Sequence, residues 1–213
     1  LIGTDAICAE VIGRRAGEQA SALVGPTINV GMAQHHMAFA GTITLKPSTL
    51  IAVIEDYVAS LARHGFERFY FLNGHGGNIA TITAAFSEIY AAAPLRSGGN
   101  AAALRCKLAN WWEGQRVKAI VRELFGAHEG AHATPSEVSV TQFAYPDAIK
   151  RPGAIPLGPA YRPFTDGEHY RSLYPDGHIG SDPGLASPEH GARLVDAAVE
   201  SVREGYIAFL ESA

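Results

Sequence analysis

The chain has 213 residues, of which 47% are hydrophobic and 18% charged, and its formal net charge is −4 with histidine neutral. This length suits one domain with a sizeable core, residues 1–213, and the mild negative charge argues against a nucleic-acid-binding surface. No apolar stretch approaches the roughly 18 residues of a membrane span, and no signal segment opens the chain, so we expect a cytoplasmic protein without membrane partners.

The first part of the chain predicts a helix followed by two short strands. Thr4 and Asp5 are typical of a helix start, because a hydroxyl and an acid suit the free N–H groups of the first turn. Residues 22–31 form an apolar, strand-like run that ends in glycine. Residues 33–45 predict a loop and then a second strand.

The clearest helix is predicted over residues 46–65, with Ser48 as its cap. The continuous apolar run at residues 68–72 predicts a strand, and residues 78–93 predict a helix capped by Asn78. These elements alternate along the chain, as they do in proteins with a parallel sheet.

A further strand is predicted at residues 102–110. Since these strands do not alternate apolar with polar residues, they favour a parallel sheet buried on both faces. The predicted fold class is therefore α/β, as a three-layer α/β/α arrangement with a mainly parallel central sheet.

Residues 146–188 are rich in proline and glycine and predict a long loop region. A loop of this length in a compact domain is usually functional or packs against a neighbouring subunit. An amphipathic helix follows to the end of the chain, capped by Ser187 with Pro188 in its first turn.

The segment FLNGHGGN, residues 71–78, places His75 among glycines where a strand ends and a helix begins. Ligands of open α/β sheets gather at the carboxyl ends of strands, so this position favours function. Glycines before a helix can also hold a phosphate, although GHGGN is neither GxGxxG nor a Walker loop. A plain turn with a hydrogen-bonded histidine is the structural alternative.

A second cluster of polar residues lies in AHEGAHATPSEVSV, residues 127–140. Thr134 to Glu137 match a capping box, so one interpretation of Glu137 is that it only caps a helix. The other is that Glu137 and His132 bring a hard oxygen ligand and a nitrogen base to one site. Asp5, taken alone, is typical of an acid in a first helical turn.

Five segments tie these observations together, because they occur in the order seen in the creatininase (creatinine amidohydrolase) family. They are TDAICAE, HHMAFAGTITL, FLNGHGGN, HATPSEVSV and GHIGSDPGLASPEHG. The chain thus resembles that family over nearly its whole length. The resemblance implies an α/β fold, a centre with often two divalent ions, hydrolysis of a C–N bond in a small cyclic or linear amide, and assembly as a homohexamer.

The resemblance also implies roles for individual residues. Asp5 corresponds to a bridging carboxylate of the metal centre and His75 to a metal ligand. Glu137 matches a glutamate that is a ligand or lies behind the ligands, and His132 matches a histidine that transfers a proton to the leaving nitrogen. We therefore expect His132 and Glu137 to be catalytic. The expected substrate-binding residues are His36, Gly76, Gly77, Trp111, His128 and His178.

Departures from the family pattern limit what the resemblance implies. Creatininase has a glutamate where Gly77 stands and a tryptophan where His128 stands, so the chain resembles a broader-family member rather than creatininase itself. Creatinine is one candidate substrate. The alternative interpretation of Trp111 is that it is an ordinary core residue, since buried indoles are common near strand ends.

The metal ligands implied by the resemblance are not all in this sequence. In the family, a strand bearing EQHG precedes the aspartate and supplies a glutamate and a histidine ligand, whereas this sequence starts at Leu1, after that point. If the intact protein has that strand, we expect a complete site. If it does not, we expect a poor or inactive enzyme.

The expected mechanism uses a divalent ion, and mixed histidine and carboxylate ligands fit zinc, manganese or iron(II). The ion would polarise the amide carbonyl and lower the pKa of a bound water, and His132 would protonate the leaving nitrogen. The glycines beside His75 would leave space for metal and substrate. Two alternatives stay open: a non-catalytic metal-binding member of the family, and a nucleotide-binding α/β enzyme.

Overall fold

The computed structural model describes residues 2–96, 104–150 and 155–212. Within these ranges the chain forms seven α-helices: α1 (Thr4–Gln19), α2 (Pro47–Ala62), α3 (Ile79–Arg96), α4 (Gln115–Leu124), α5 (Pro135–Ala144), α6 (Gly167–Leu173) and α7 (Pro188–Glu211). Two strands, β1 (Arg68–Asn73) and β2 (Arg105–Asn110), pair in parallel. Among these helices, none is both long and apolar enough to cross a membrane.

Different helices cover the two faces of the sheet. Tyr70 and Leu72 of β1 pack against the core that α1, α4, α5 and α7 build. Phe69 and Phe71, which point to the opposite face because side chains alternate along a strand, pack against α2 and α3. The arrangement is a three-layer α/β/α fold with a parallel sheet, which confirms the predicted fold class.

Helix α7 is the longest helix and follows the sequence prediction closely. Its first turn carries Pro188, and the Ser187 hydroxyl accepts a hydrogen bond from the His190 N–H at 3.1 Å. The helix passes very close to α5 at Gly191, where a Cβ atom would lie 2.0 Å from the carbonyl oxygen of Ser139. A glycine is therefore required where these two helices cross.

Two of the predicted helix caps are wrong. Helix α1 follows Gly3, which has a φ of 104°, so that Thr4 is already helical and makes no capping hydrogen bond. Helix α2 begins at Pro47, one residue before the predicted cap Ser48. Proline is favoured at a first helical position because its ring fixes φ and no N–H is wasted there.

The two strands predicted at residues 22–31 and at the end of 33–45 are wrong. Both segments run as loops without a ladder of backbone hydrogen bonds. One backbone bond joins them, from the Leu45 N–H to the Gly31 oxygen at 2.8 Å. Pro26 has no N–H to contribute to a ladder, so an apolar composition alone does not make this segment a strand.

The proline- and glycine-rich region 146–188 contains the short helix α6 and a small core of its own; residues 151–154 lie outside the described ranges. Tyr170 and Tyr174 are fully buried in that core. The Tyr170 hydroxyl donates to the Gly177 oxygen at 2.8 Å. The Arg171 guanidinium donates to the Ala38 oxygen, which ties α6 to the loop that follows residue 33.

The outer edge of β2 is occupied by a side chain. The hydroxyl of Tyr90, on α3, accepts a hydrogen bond from the Cys106 N–H at 2.7 Å and donates to the Cys106 oxygen at 3.3 Å. Cys106 thus has both backbone polar groups paired on the side away from β1. Its thiol and that of Cys8 are free.

Candidate active site

Asp5 and His75 meet at the carboxyl end of β1. Asp5 lies in the first turn of α1, and His75 follows β1 by two residues. His75 Nδ1 is 3.4 Å from Asp5 Oδ2, and the two side chains are 13% and 45% exposed. The other ring nitrogen, Nε2, is buried with no hydrogen-bond partner in the part of the chain that the structure describes. The fold therefore brings these two sequence-predicted ligands together.

The glycines around His75 serve packing more than open space. A Cβ atom at Gly74 would lie 2.0 Å from the carbonyl oxygen of Asp5. One at Gly77 would lie 2.5 Å from His75 Nε2, whereas one at Gly76 would meet no atom within 4 Å. Gly74 thus lets α1 approach the strand end, which corrects our expectation that all three positions keep space for a ligand.

Buried asparagines hold the His75 loop in place. Asn73, 4% exposed, donates to the His75 oxygen at 2.7 Å and to Asn110 Oδ1 at 2.8 Å, and accepts from the His75 N–H at 3.1 Å. Asn78, directly before α3, donates to Asn73 Oδ1 and accepts from the Met32 N–H, so its side chain also braces the loop. The position of His75 is thus fixed by its neighbours.

Four imidazoles gather beside Asp5, and we call them the histidine cluster: His35, His36, His75 and His132. The rings of His36 and His132 stack, with centroids 4.3 Å apart and planes at 27°. The His75 ring lies 5.9 Å from that of His35 and 6.1 Å from that of His36. Sequence reasoning singled out three of these residues and missed His35, although it adjoins His36.

Tyr170 forms a wall of the histidine cluster. Its buried ring meets that of His36 edge to face, with centroids 4.9 Å apart and planes at 81°. It also lies 6.2 Å from the ring of His132, at 85°. No sequence pattern predicts this contact, since Tyr170 belongs to a region whose composition indicates a loop.

Burial favours the neutral form of three histidines of the cluster, His35, His36 and His132. Desolvation, and then the neighbouring imidazoles, lower the pKa of His132 to about 4 and the pKa of His36 to about 2. The pKa of His35 is lowered for the same reasons. A neutral imidazole offers a free nitrogen that can accept a proton or bind a metal.

Glu137 is both a helix cap and a member of the site. Its Oε1 accepts from the Thr134 N–H at 2.7 Å, and its own N–H donates to the Thr134 hydroxyl at 3.2 Å, which confirms the capping box. Desolvation, together with the nearby charge of Asp5, raises the pKa of Glu137 to about 8. The carboxyl group is therefore mostly protonated at neutral pH.

An open cleft of about 1450 Å³ joins these groups. Its lining includes five of the residues that the sequence singled out: Asp5, His36, His75, His132 and Glu137. The pKa of Asp5 is raised by desolvation in the cleft and lowered again by His75. Acid, base and candidate ligand groups thus face one space.

Of the six expected substrate-binding residues, only His36 is among those that line the cleft. Gly76 and Gly77 directly follow His75 but are not in the lining.

The other three expected substrate-binding residues lie elsewhere. Trp111 is 3% exposed and packs in the core with α1 and α7, as its structural alternative had it. The His128 side chain is 52% exposed, with Nδ1 3.8 Å from Asp182 Oδ2. His178 is 15% exposed and precedes Ile179, whose backbone bridges to that of His132, so it lies next to the site without lining the cleft.

The described residues fit part of a metal site. Within residues 2–96, 104–150 and 155–212, no three histidine, cysteine, aspartate or glutamate side chains are placed to hold an ion together. Asp5 and His75 nevertheless offer a carboxylate oxygen and an unpartnered nitrogen, the donor types that zinc and manganese accept.

A protein-family model described as "Creatininase: Creatinine amidohydrolase" matches residues 1–205 of the chain. The chain is 24% identical, over 213 residues, to the creatinine amidohydrolase of Pseudomonas putida, and the match covers 95% of this chain and 81% of that protein. It is 33% identical over 86 residues to the mycofactocin precursor peptide peptidase of Mycobacterium ulcerans, a match that covers 40% of this chain and 34% of that protein.

Solved creatininase structures have a similar fold. A manganese form superposes with a TM-score of 0.85 at 23% identity, covering 100% of this chain and 85% of that chain. A mutant creatininase complexed with creatine gives 0.85 at 23% identity, covering 100% of this chain and 86% of that chain. A mutant of the Zn–Zn type gives 0.84 at 22% identity, again with 100% and 85% coverage.

Proposed function

The chain belongs to the creatininase family, and on that basis we propose that it is a metal-dependent amidohydrolase that cleaves a C–N bond of a small amide. The family match and the relatives make it a member of a hydrolase family. The observation that supports the proposal most directly is the Asp5–His75 pair, with its unpartnered ring nitrogen, beside neutral His132 in one cleft.

Asp5 and His75 would hold a divalent ion, zinc or manganese by analogy with the solved relatives. A glutamate and a histidine from a preceding strand would complete the ligand set and allow a second ion, as the EQHG resemblance implies. A bound divalent ion would polarise the amide carbonyl. Glu137 would lie behind Asp5, since its carboxyl group is partly engaged in the capping box.

His132 would move the proton in the reaction. Because its ring is neutral at pH 7, it can accept a proton from the attacking water and return it to the leaving nitrogen. His36, stacked on His132, restricts the ring to one orientation. The buried ring of Tyr170 packs edge to face against both His36 and His132 and so supports the pair.

Two substrate classes follow from the relatives: a small cyclic amide such as creatinine, and a peptide bond. The mycobacterial relatives match only part of the chain, whereas the creatinine amidohydrolase matches 95% of it. We therefore propose a small amide as the first class to test. Assembly as a homohexamer, which the resemblance implies, is also a proposal, and light scattering of the intact protein would test it.

The first test is the metal content of the intact protein, measured by elemental analysis. We expect near-stoichiometric divalent metal in the wild type and its loss in Asp5→Ala and His75→Ala. His64→Ala, at an exposed position beyond α2, is the matched control and should keep the metal. Metal content unchanged in both site variants would contradict the proposed ligands.

The second measurement is hydrolysis of creatinine and of short peptide amides, with and without a chelator. Variants of metal ligands should lose at least about 100-fold in turnover, since even groups behind the ligands cost about 10–100-fold. Stoichiometric metal without any hydrolysis would instead favour the non-catalytic member of the family. The nucleotide-binding alternative lacks support, because Gly74 and Gly77 pack against protein atoms rather than forming an open cradle.

A further inference from the structure

The turn that carries His132 has a strained backbone. Ala133, directly after it, has a φ of 54°, and Gly130, two residues before it, has a φ of 68°. A non-glycine residue in the left-handed region costs energy and persists only where the surroundings hold it. Something outside the turn must therefore fix the backbone on either side of the His132 ring.

One hold on the turn comes from the segment after α6. The Ser181 hydroxyl, in a fully buried side chain, donates to the His132 oxygen at 2.5 Å. The Ile179 N–H donates to the same oxygen at 3.3 Å, and the Ala131 N–H donates to the Ile179 oxygen at 2.8 Å. Two of these bonds fix the carbonyl oxygen of His132, and the third fixes the residue before it.

A second set of hydrogen bonds, between side chains of the turn itself, links Glu129 and Ser136. The Ser136 hydroxyl, on a side chain 2% exposed, donates to Glu129 Oε1 at 2.5 Å. Its oxygen also lies 3.1 Å from the hydroxyl of Thr134, the residue that caps α5. Hydrogen bonds to a carboxylate are among the stronger ones in proteins. The Ser136–Glu129 hydrogen bond thus joins the two ends of the segment 129–136, with His132 between them, and we call this bond the clasp.

We propose that Glu129 is a positioning residue: its carboxylate holds Ser136 and so fixes the turn that presents His132 to the cleft. The inference rests on the proposed function only in giving His132 a proton-transfer role. Glu129 itself does not line the cleft. Its second oxygen, Oε2, is buried and has no hydrogen-bond partner in the described part of the chain. Burying an unpaired carboxylate oxygen is unfavourable, and packing alone gives no reason for a glutamate at this position.

The test follows the His132 ring directly, by NMR of protein with isotope-labelled histidine rings, in which a His132→Gln variant identifies the signal. We expect the His132 signal to shift or broaden in Glu129→Ala and in Ser136→Ala. The double variant should resemble either single variant, because both changes break the same contact. Glu113→Ala, at an exposed acid, is the matched control and should leave the signal unchanged.

Glu129→Gln separates positioning from general stability, since its amide oxygen can still accept from Ser136. We expect it to restore the His132 signal largely to that of the wild type. If Glu129→Ala does not fold, Ser136→Ala and Glu129→Gln carry the comparison. A His132 signal that is unchanged in Ser136→Ala, or lower thermal stability without any change at His132, would overturn the proposal.

Kinetics provide the second readout for any amide that the wild type hydrolyses. Loss of the clasp should lower kcat by about 10-fold or more, the usual effect of losing a supporting contact, with little change in KM. Glu129→Gln should recover most of kcat. If the wild type hydrolyses no amide, the proposed function fails, while the NMR comparison still decides whether Glu129 positions His132.

Discussion

Gly74 determines how closely the first helix approaches the end of β1. The carbonyl oxygen of Asp5 occupies the space that a side chain at residue 74 would need. The same approach places the Asp5 carboxylate beside the His75 ring. The geometry of the candidate ligand pair thus depends on the absence of one methyl group.

Replacing Gly74 with alanine should therefore destabilise the protein by about 1–3 kcal/mol, the usual cost of overpacking a well-packed contact. Gly76→Ala is the matched control two residues away, where a Cβ atom meets nothing within 4 Å. Urea unfolding followed by circular dichroism would measure both free energies of unfolding. Equal midpoints for the two variants would show that α1 can move away without cost.

The residues of the site differ in how far the sequence predicts them. Asp5, His75 and Glu137 stand in motifs whose spacing and order could be recognised, and the fold places them on one cleft. Tyr170 reaches the histidine cluster through long-range packing, and no local pattern in the sequence predicts which distant segments meet. Glu129 and Ser136 are only seven residues apart, but neither belongs to a motif that predicts a side-chain contact between them.

At the scale of elements, the capped helices were the most predictable. The Ser187 cap with Pro188, and the capping box of Thr134 and Glu137, satisfy N–H groups that every helix start exposes, so their signal is local. The two loop segments mistaken for strands have apolar residues but pair with no strand in the described part of the chain, and no local pattern predicts whether a partner strand is present. The short helix α6 was missed because proline and glycine dominate its surroundings.

Ser187→Ala should lower the free energy of unfolding by about 1 kcal/mol, since the His190 N–H at the start of α7 loses its acceptor. Ser201→Ala, within the same helix, should have little effect, because that hydroxyl only bonds the carbonyl oxygen of Ala197 one turn earlier. Thermal unfolding of the two variants beside the wild type would measure the difference. A larger loss in Ser201→Ala would contradict the assigned cap.

The described residues form two larger cores that a narrow parallel sheet separates, and a third, smaller core around Tyr170 and Tyr174. The proposed catalytic groups, His132 and Glu137, lie in the cleft at one end of that sheet, and both are desolvated. Such groups link the stability of the entire domain to pH, because the folded and unfolded states bind different numbers of protons.

His132 should make the metal-free protein less stable in acid. Its pKa falls from 6.5 to about 4 on folding, so between these values the unfolded state binds more protons and stability decreases as pH decreases. The full shift corresponds to at most about 3 kcal/mol. In chelator-treated protein, His132→Gln should lose less stability than the wild type between pH 7 and pH 4, as urea unfolding would measure.

The titration of Glu137 changes stability with pH in the opposite direction from that of His132. The wild-type stability curve alone therefore does not isolate the contribution of His132, and a His132 variant is needed. The pKa of Glu137 rises from 4.5 to about 8 on folding, so the folded state binds more protons in that range and stability decreases as pH rises. Comparing His132→Gln with the wild type at each pH cancels this contribution. Parallel curves for the two proteins would show that His132 is not a neutral, desolvated imidazole.

The Tyr90 hydroxyl at the outer edge of β2 also matters for how molecules meet one another in solution. An unpaired strand edge is a template on which another chain can add a strand, and this route leads to aggregation. Here the backbone donor and acceptor of Cys106 are already taken. An incoming strand would first have to displace a tyrosine, so this single side chain helps to keep the protein from polymerising through its sheet.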